Sequence, residues 1–557
     1  MANTSVGECY PFGGRGGMTA PASVPVMITN LTMPNLSRTS PSRRSRGYPV
    51  LLLAIALITA GCTSTGSAGS AGWIDTSRPS AVDGHPPVQD IAWEDCTAAV
   101  EQILGEPFPL PVRFDCARLE VPADYEDPEA GLLELEVLRA VSTAADRDRI
   151  GSLVVNPGGP GVSGLEAALT VALLSPEELL SGFDIVGFDP RGVGRSSPIE
   201  CVDDRFKDEL VGADPTPTSE PEIAAAIERF TQLVTACQDT HGERLANFNT
   251  GYTARDMDRL REALGDEQLT YLGYSYGTTL GSTYAELFPE RVRAMVLDGA
   301  VDPDLGPVEF VQGQAAGFEQ AFDTFAQACI AIGPACPIGP DPRQFVTELL
   351  AAAERNPIPQ ASGDPRQGTA GFVFNGVVAA LYAEETWPIL AEALAAAAAG
   401  DATGIIALAD AISGRTPEGY TNQLEANTTI NCNDFGVQIS EREIRAYVEE
   451  WSTTYPLFGA FGAVSLSTCA AWDSDQNPLP ERDAEGADPV LVIGTVGDPA
   501  TPYDGSRAMA EQLDSGVLLT WEGQGHTAFP KTECITGAVV GYLLDLAVPA
   551  EGTTCPA

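Results

Sequence analysis

The chain has 557 residues, of which 44% are hydrophobic and 19% charged, a composition typical of a folded protein with a sizeable buried core. Its 77 acidic residues against 31 basic ones give a formal net charge of −46, so the clustered cations that nucleic acid requires are missing. The three histidines, His85, His241 and His526, are too few for a His-rich metal site. We expect no metal, no cofactor and no nucleic-acid partner.

Residues 1–62 have the pattern of an export signal. A basic segment ending at Arg46 precedes a short apolar run, and small residues then lead to Cys62. This ending resembles a bacterial lipobox, although Thr59 stands where leucine is commoner. We therefore predict cleavage before Cys62, lipidation of its thiol and anchoring at the outer face of the cell membrane, with ordinary secretion as the alternative. Met33 is an alternative start, and residues 63–87 are predicted to form a flexible tether.

Residues 88–301 are predicted to form the first part of an α/β core. Short apolar runs at 152–155, 183–188, 269–272 and 293–297 each enter a loop that contains glycine. Helical patterns lie between them, notably at 254–264 and 278–287. This alternation predicts a mostly parallel sheet flanked by helices, in which ligands bind beyond the carboxyl ends of the strands.

Two stretches interrupt the alternation of strands and helices. Residues 199–250 are predicted to be a small helical excursion, and residues 302–485, with Ala-rich stretches such as 389–399, a helical cap. Strand patterns resume at 489–493 and 517–521, so residues 486–557 are predicted to complete the core.

Ten cysteines follow Cys62, and an even number in an exported protein indicates five disulfides. Sequence alone does not fix their connectivity, and buried free thiols are the alternative. We expect successive cysteines to pair, because each pair closes a local loop: Cys96–Cys116, Cys201–Cys237, Cys329–Cys336, Cys432–Cys469 and Cys534–Cys555.

The segment 273–277 reads Gly-Tyr-Ser-Tyr-Gly, which is the G-x-S-x-G pattern. The pattern alone is weak, but an apolar strand precedes it and a helix is expected from Thr278. A sharp strand-to-helix turn lifts the serine hydroxyl above the edge of the sheet. We therefore predict that Ser275 is a nucleophile; a plain strand–helix turn is the alternative.

A serine nucleophile needs a base that takes its proton, and His526 is the best candidate. It follows the late strand at 517–521 in a Gly-rich loop, whereas His85 lies in a Pro-rich segment and His241 in the polar excursion.

The imidazole in turn needs a carboxylate that fixes its tautomer, and Asp498 follows the strand at 489–493. Asp298 and Asp302 are the alternatives, since they also follow a strand. The chain order Ser275, Asp498, His526 is that of α/β hydrolases.

A developing oxyanion needs backbone N–H donors. We predict one from Tyr276, directly after the nucleophile, and another from the NPGGPG loop at 156–161, with Gly159 as first choice and Gly158 as second. The loop at 189–196, DPRGVGRS, is interpreted as structural, a turn braced by an Asp–Arg pair.

Several segments together resemble a known family: NPGGPG, GFDPRGVGRSSP, GYSYGTTLG, FPERVRAMVLDG, VGDPATP and GQGHTAF. Over residues 88–557 the chain resembles actinobacterial tripeptidyl aminopeptidases, which belong with the proline-iminopeptidase-like serine peptidases of the α/β-hydrolase fold. The resemblance implies Ser275 as nucleophile, Asp498 as orienting acid and His526 as base. Proline iminopeptidases usually begin the first glycine loop with histidine, whereas Asn156 and Pro157 stand here, which argues against removal of single prolines.

An exopeptidase must bind the free α-ammonium of its substrate, which calls for a carboxylate in the cap. Asp434 is the first candidate, and Glu384 and Glu385 are weaker ones; a solvated acid is the alternative for each.

The expected function is that of a lipid-anchored serine exopeptidase acting on short peptide substrates, with a monomer favoured. A carboxylesterase acting on lipid or small esters is the alternative, and a non-enzymatic binding protein on a hydrolase scaffold is a third reading. The intact set of serine, aspartate, histidine and glycine loops argues against the third.

Overall fold

The computed structural model describes residues 88–105, 107–143, 149–436, 439–473, 477–480 and 482–557. The predictions for the export signal, Cys62 and the tether therefore lie outside the described residues. Among the described helices, none is long and apolar enough to cross a membrane.

The core is built on a ten-stranded sheet, with a separate two-stranded hairpin in the cap. The strands are β1 (Glu94–Asp95), β2 (Val112–Pro122), β3 (Leu132–Ser142), β4 (Gly151–Asn156), β5 (Phe183–Phe188), β6 (Leu269–Tyr274), β7 (Val292–Asp298), β8 (Arg415–Thr416), β9 (Gly419–Tyr420), β10 (Val490–Gly497), β11 (Gly516–Gln524) and β12 (Thr554–Cys555).

The sheet order is β1-β2-β3-β5-β4-β6-β7-β10-β11-β12. Pairing is antiparallel from β1 to β5 along this order and parallel from β5 to β12, so the prediction of a mostly parallel sheet is confirmed. Because β4, β6, β7, β10 and β11 are parallel, their carboxyl ends meet at one edge of the sheet.

The helices are α1 (Thr97–Leu104), α2 (Gly164–Leu174), α3 (Glu177–Gly182), α4 (Asp204–Val211), α5 (Glu220–His241), α6 (Thr250–Leu264), α7 (Tyr276–Leu287), α8 (Pro307–Ala331), α9 (Pro342–Arg355), α10 (Ala370–Leu381), α11 (Trp387–Ala398), α12 (Thr403–Ser413), α13 (Gln423–Phe435), α14 (Glu441–Thr454), α15 (Gly459–Ser465), α16 (Ser467–Ala470), α17 (Tyr503–Gln512) and α18 (Glu533–Asp545). Short 3-10 helices lie at Gly242–Asn247, Pro289–Arg291, Gly333–Ala335 and Glu384–Thr386.

Two apolar clusters cover the two faces of the sheet. In β4, Val154 packs into the cluster that contains α6, α7 and α17, whereas Leu153 and Val155 pack into the cluster that contains α2 and α18. Successive strand residues point to opposite faces, so an apolar run such as β4 fits only a sheet covered on both sides.

The segment between β7 and β10 consists of α8 to α16 and the hairpin β8–β9. It supplies most members of two further apolar clusters, one of which also includes Ile223, Ala226 and Ile227 of α5. The expected helix at 389–399 is α11, which begins and ends slightly earlier. The helical excursion at 199–250 consists mainly of α4 and α5.

All five predicted disulfides are present: Cys96–Cys116, Cys201–Cys237, Cys329–Cys336, Cys432–Cys469 and Cys534–Cys555. The pairing of successive cysteines is therefore confirmed. Each bridge closes a loop of modest length, from 7 residues of separation for Cys329–Cys336 to 37 for Cys432–Cys469.

Candidate active site

Ser275 occupies a sharp turn between β6 and α7. Its backbone has φ 56° and ψ −124°, which is uncommon for a residue with a side chain and marks local strain. The turn is tight because a Cβ added at Gly273 would lie only 2.4 Å from the carbonyl oxygen of Gly277. The glycines of the G-x-S-x-G pattern thus permit the turn that leaves Ser275 partly exposed beyond the strand end.

His526 follows β11 and pairs with Asp498, which follows β10. The Nδ1 atom of His526 lies 2.9 Å from both carboxylate oxygens of Asp498. Thr501 supports the pair, since its backbone N–H and its hydroxyl both donate to the Asp498 carboxylate. With Nδ1–H directed to the carboxylate, Nε2 remains free to accept a proton.

Asp298, the alternative carboxylate, has a different role in the geometry. Its side chain accepts hydrogen bonds from the backbone N–H groups of Ala528 (3.0 Å) and Phe529 (2.8 Å), just after the histidine. Its backbone carbonyl accepts from the N–H of Ser275 at 2.9 Å. Asp298 therefore connects the serine turn to the histidine loop, and burial raises the pKa of its carboxyl to about 6.

The NPGGPG loop lies directly against the serine. A Cβ added at Gly158 would lie 2.9 Å from the Cβ of Ser275 and 3.0 Å from the backbone nitrogen of Tyr276, so only glycine fits there. The N–H of Gly158 already donates to the side-chain oxygen of Asn156 at 3.0 Å. Gly159 is exposed next to it, so of the two predicted loop donors Gly159 has the more accessible position.

The cap contacts both the histidine loop and the NPGGPG loop beside the serine, and no sequence pattern indicated these contacts. The carbonyl of Tyr382 accepts the backbone N–H of His526 at 2.8 Å, and Ala383 forms an antiparallel bridge with Gly525. The Tyr382 ring meets the imidazole edge to face, with centroids 5.2 Å apart. On the other side, the Asn427 amide of α13 donates to the carbonyl of Pro160 in the NPGGPG loop.

Lys531 is a second residue that sequence reasoning missed. Its ammonium donates to the carbonyl of His526 at 3.1 Å and lies over the ring of Trp521. Burial lowers the pKa of Lys531, against the opposing influence of Glu385 and Asp298. Sequence spacing gave no signal for this contact, because it is made to a backbone oxygen.

The predicted ammonium-binding carboxylates occupy contrasting environments. Glu384 and Glu385 are exposed in the 3-10 helix that follows Tyr382. Asp434 is only 3% exposed, in the last turn of α13, and both of its oxygens accept hydrogen bonds from Thr250. Burial raises the pKa of the Asp434 carboxyl to about 7.

The interpretation of the loop at 189–196 needs a correction. Arg191 is fully buried, but its guanidinium forms a bidentate pair with Asp256 of α6 rather than with an aspartate of the loop. Asp189 instead accepts hydrogen bonds from the Ser163 hydroxyl and from the backbone N–H of Arg195. Spacing could not reveal a partner from a helix more than sixty residues away.

The two other histidines, which the sequence did not favour as the base, are His241 and His85. His241 ends α5, and its Nε2 lies 3.1 Å from the carbonyl oxygen of Glu200 in the excursion. His85 lies outside the described residues.

A comparison with protein-family models matches residues 151–531 to the α/β hydrolase fold. The match spans more than half of the chain and runs from β4 to the loop that follows the histidine. The chain belongs to the α/β-hydrolase family, so the predicted fold class is confirmed.

Three relatives of known name cover most of the chain. Serine protease Hip1 of Mycobacterium tuberculosis is 38% identical over 485 residues, which is 84% of this chain and 91% of that protein. Carboxylesterase B of the same organism is 38% identical, and the match spans 79% of this chain and 86% of that protein. Tripeptidyl aminopeptidase of Streptomyces coelicolor is 32% identical, and the match spans 84% of this chain and 86% of that protein. The resemblance seen in the sequence is confirmed, and the chain is a serine hydrolase.

Proposed function

We propose that the chain is an exported, membrane-anchored peptidase that removes short peptides, tripeptides foremost, from the N-termini of its substrates. The arrangement that supports the proposal is the pairing of His526 with Asp498 at the sheet edge where Ser275 is partly exposed. Relatives named serine protease and tripeptidyl aminopeptidase point to peptide bonds.

In the proposed mechanism the Ser275 hydroxyl attacks the scissile carbonyl while Nε2 of His526 takes its proton. Asp498 holds the imidazole in the required tautomer and stabilises the imidazolium. The N–H groups of Tyr276 and Gly159 stabilise the oxyanion, which the N-terminus of α7 also favours. His526 then returns the proton to the leaving amine, and water hydrolyses the acyl-enzyme by the same steps in reverse.

A peptidase of this kind must hold the α-ammonium of its substrate, and we assign that task to Glu385. Its carboxylate is exposed on the cap segment that contacts the histidine loop. Asp434, the first candidate from sequence, is buried and already accepts two hydrogen bonds. That Asp434 binds the ammonium stays a prediction. The variants Glu385→Gln and Asp434→Asn distinguish the two residues by their effect on KM for the free-amine substrate.

The decisive experiment uses an Ala-Ala-Pro arylamide with a free amine, its N-blocked form, and an aryl ester. A tripeptidyl peptidase cleaves the free-amine arylamide efficiently and the blocked arylamide poorly. Glu385→Gln should raise KM for the free-amine substrate alone, whereas Glu384→Gln, the adjacent matched control, should change it little. A fluorophosphonate should label wild-type protein at Ser275 but not the Ser275→Ala variant.

A carboxylesterase is the second candidate, because a relative of that name is as similar as the protease. Efficient ester cleavage with no turnover of either arylamide would favour it over the peptidase. Absence of fluorophosphonate labelling in folded wild-type protein would reject both.

Membrane anchoring is a separate part of the proposal and rests on the sequence around Cys62 alone. In the native host, a fatty acid should be incorporated at Cys62, and Cys62→Ala should abolish the incorporation and release the protein from the membrane fraction. A mature N-terminus at another residue, with no lipid attached, would reject it.

A further inference from the structure

Tyr276 has two parts with different surroundings. Its backbone N–H follows the nucleophile at the start of α7, where the proposed oxyanion hole lies. Its side chain is only 7% exposed and reaches inward, where the phenol oxygen is hydrogen-bonded to the hydroxyl of Thr250. The inner end of this residue is therefore fixed by a polar contact beneath the catalytic surface.

Thr250, the first residue of α6, connects this phenol to the cap. Its backbone N–H donates to Oδ1 of Asp434 at 3.0 Å, and its hydroxyl donates to Oδ2 at 2.6 Å. Thr250 is fully buried and Asp434 nearly so, which strengthens these hydrogen bonds and makes their loss costly.

The number of available protons fixes the direction of the chain of hydrogen bonds. Once Asp434 is ionised, above its pKa of about 7, its carboxylate only accepts hydrogen bonds, and a threonine hydroxyl has a single proton to donate. In that state Thr250 gives its proton to Asp434, so the Thr250 oxygen must accept the proton of the Tyr276 phenol. The order is Tyr276 O–H to Thr250 O–H to the Asp434 carboxylate.

The position of Asp434 is itself well determined. The adjacent Asn433 amide donates to the carbonyls of Leu245 and Phe248, in the segment that leads into α6. The disulfide Cys432–Cys469 constrains the same turn of α13. The cap therefore presents Asp434 to Thr250 from a constrained support.

We propose that Asp434 is a positioning residue for the oxyanion hole, acting through Thr250 and the Tyr276 phenol. The inference rests on the proposed function, since it concerns the N–H of Tyr276 as an oxyanion donor. Small displacements of such donors reduce the rate of reaction strongly, whereas they affect ground-state binding much less. Loss of these hydrogen bonds should therefore lower kcat equally for substrates with a free and with a blocked N-terminus.

The test measures kcat and KM of Asp434→Asn and Thr250→Val with the free-amine arylamide and with an N-blocked aryl ester. We expect kcat to fall roughly ten- to hundredfold with both substrates, and KM to stay within about twofold. Thr250→Ser keeps the hydroxyl and should restore most of the rate. Thr253→Val is the matched control, because Thr253 is buried in the same helix and its hydroxyl donates to the carbonyl of Asn249 at the start of that helix.

Tyr276→Phe provides a second route if Asp434→Asn does not fold. It removes only the phenol oxygen and should lower kcat severalfold with both substrates. Tyr284→Phe, on the same helix with its hydroxyl bonded to Asp258, should remain near wild type. Wild-type kcat in folded Thr250→Val or Tyr276→Phe protein would overturn the proposal.

Two further outcomes are distinguishable. A rise in KM for the free-amine substrate only, in Asp434→Asn, would overturn positioning and make Asp434 the ammonium anchor instead.

Fluorophosphonate should label Ser275 in the variants more slowly than in wild type. If wild-type protein is not labelled at all, it is the proposed function that fails.

Discussion

The core and the cap contribute to the active site in different ways. The core supplies the groups proposed to react: Ser275 after β6, Asp498 after β10 and His526 after β11. The cap supplies contacts that hold the surroundings of these groups, through Tyr382 on the histidine side and Asp434 on the serine side. Substitution of Ser275, Asp498 or His526 should therefore remove a chemical step, whereas substitution of Tyr382 or Asp434 should only disturb the geometry of the site.

The largest expected effect separates two aspartates of the core that sequence left as alternatives. Asp498→Asn should lower kcat by about 10⁴-fold, because an amide no longer holds His526 in the tautomer with Nδ1–H. Asp298→Asn is the matched control, since Asp298 contacts the backbone of Ala528 and Phe529 rather than the imidazole. It should cost about 1–3 kcal/mol of stability, while folded protein keeps most of its kcat.

The measurement is kcat with the N-blocked ester, together with the free energy of unfolding from urea titration. A loss of kcat in Asp298→Asn as large as that in Asp498→Asn would contradict the assignment of the orienting carboxylate.

A smaller effect is expected where the cap contacts the histidine. Tyr382→Ala removes the ring that packs against His526 but keeps the backbone carbonyl that accepts its N–H. We expect kcat to fall about tenfold, since the imidazole loses one wall of its site. Tyr382→Phe should stay within about twofold of wild type, because the ring is retained.

Tyr420→Ala is the control for this prediction. Tyr420 is another partly buried tyrosine of the cap, with its hydroxyl bonded to Asp208 in the excursion. Equal losses in Tyr382→Ala and Tyr420→Ala would mean that the cap acts only through its overall stability.

The disulfides of the cap allow the same comparison without touching a polar group. Replacing both Cys432 and Cys469 with alanine should cost about 4 kcal/mol of stability, and replacing Cys329 and Cys336 about 2 kcal/mol, on the basis of loop length. Only the first pair adjoins Asp434 on α13, so only its loss should also lower kcat, by a fewfold. Equal kcat in the two double variants, measured below their unfolding temperatures, would show that Cys432–Cys469 does not support the site.

The sequence predicted what depends on local patterns. The strand ends, the turn at Ser275 and the spacing of Asp498 and His526 could be recognised, because each lies in a short segment with characteristic residues. The contact of Tyr382 could not be recognised, because it is made to the backbone of a distant segment. The contact of Lys531 is local in the chain, but it is made to a backbone oxygen, for which the sequence carries no signal.

Asp434 shows that a residue can be recognised as important from sequence while its role is left open. Its residue type suggested a carboxylate that binds substrate, and only the folded structure shows that it is buried against Thr250. The partner of Arg191 could not be predicted for the same reason, since Arg191 lies in a loop and Asp256 in α6, 65 residues later.

A final expected effect is the contribution of Asp434 to the pH dependence of stability, which changes Tm rather than kcat. Burial raises the pKa of its carboxyl to about 7 in the folded state, whereas an unfolded chain has about 3.9. Between these values the unfolded state loses a proton that the folded state keeps, so rising pH favours unfolding. Asp434→Asn has no carboxyl to titrate and does not lose stability in this way, so its Tm relative to wild type should increase from pH 5 to pH 8.

The control for this measurement is Thr253→Val, which adds and removes no titratable group, so its Tm difference from wild type should not vary with pH. Asp298, with a pKa raised to about 6, titrates in all three proteins and cancels in the differences. Arg482, whose charge acts on Asp434, is likewise common to all of them. A Tm difference for Asp434→Asn that stays constant from pH 5 to pH 8 would mean that Asp434 ionises in the folded protein as readily as in the unfolded chain, and its place in a buried chain of hydrogen bonds would have to be revised.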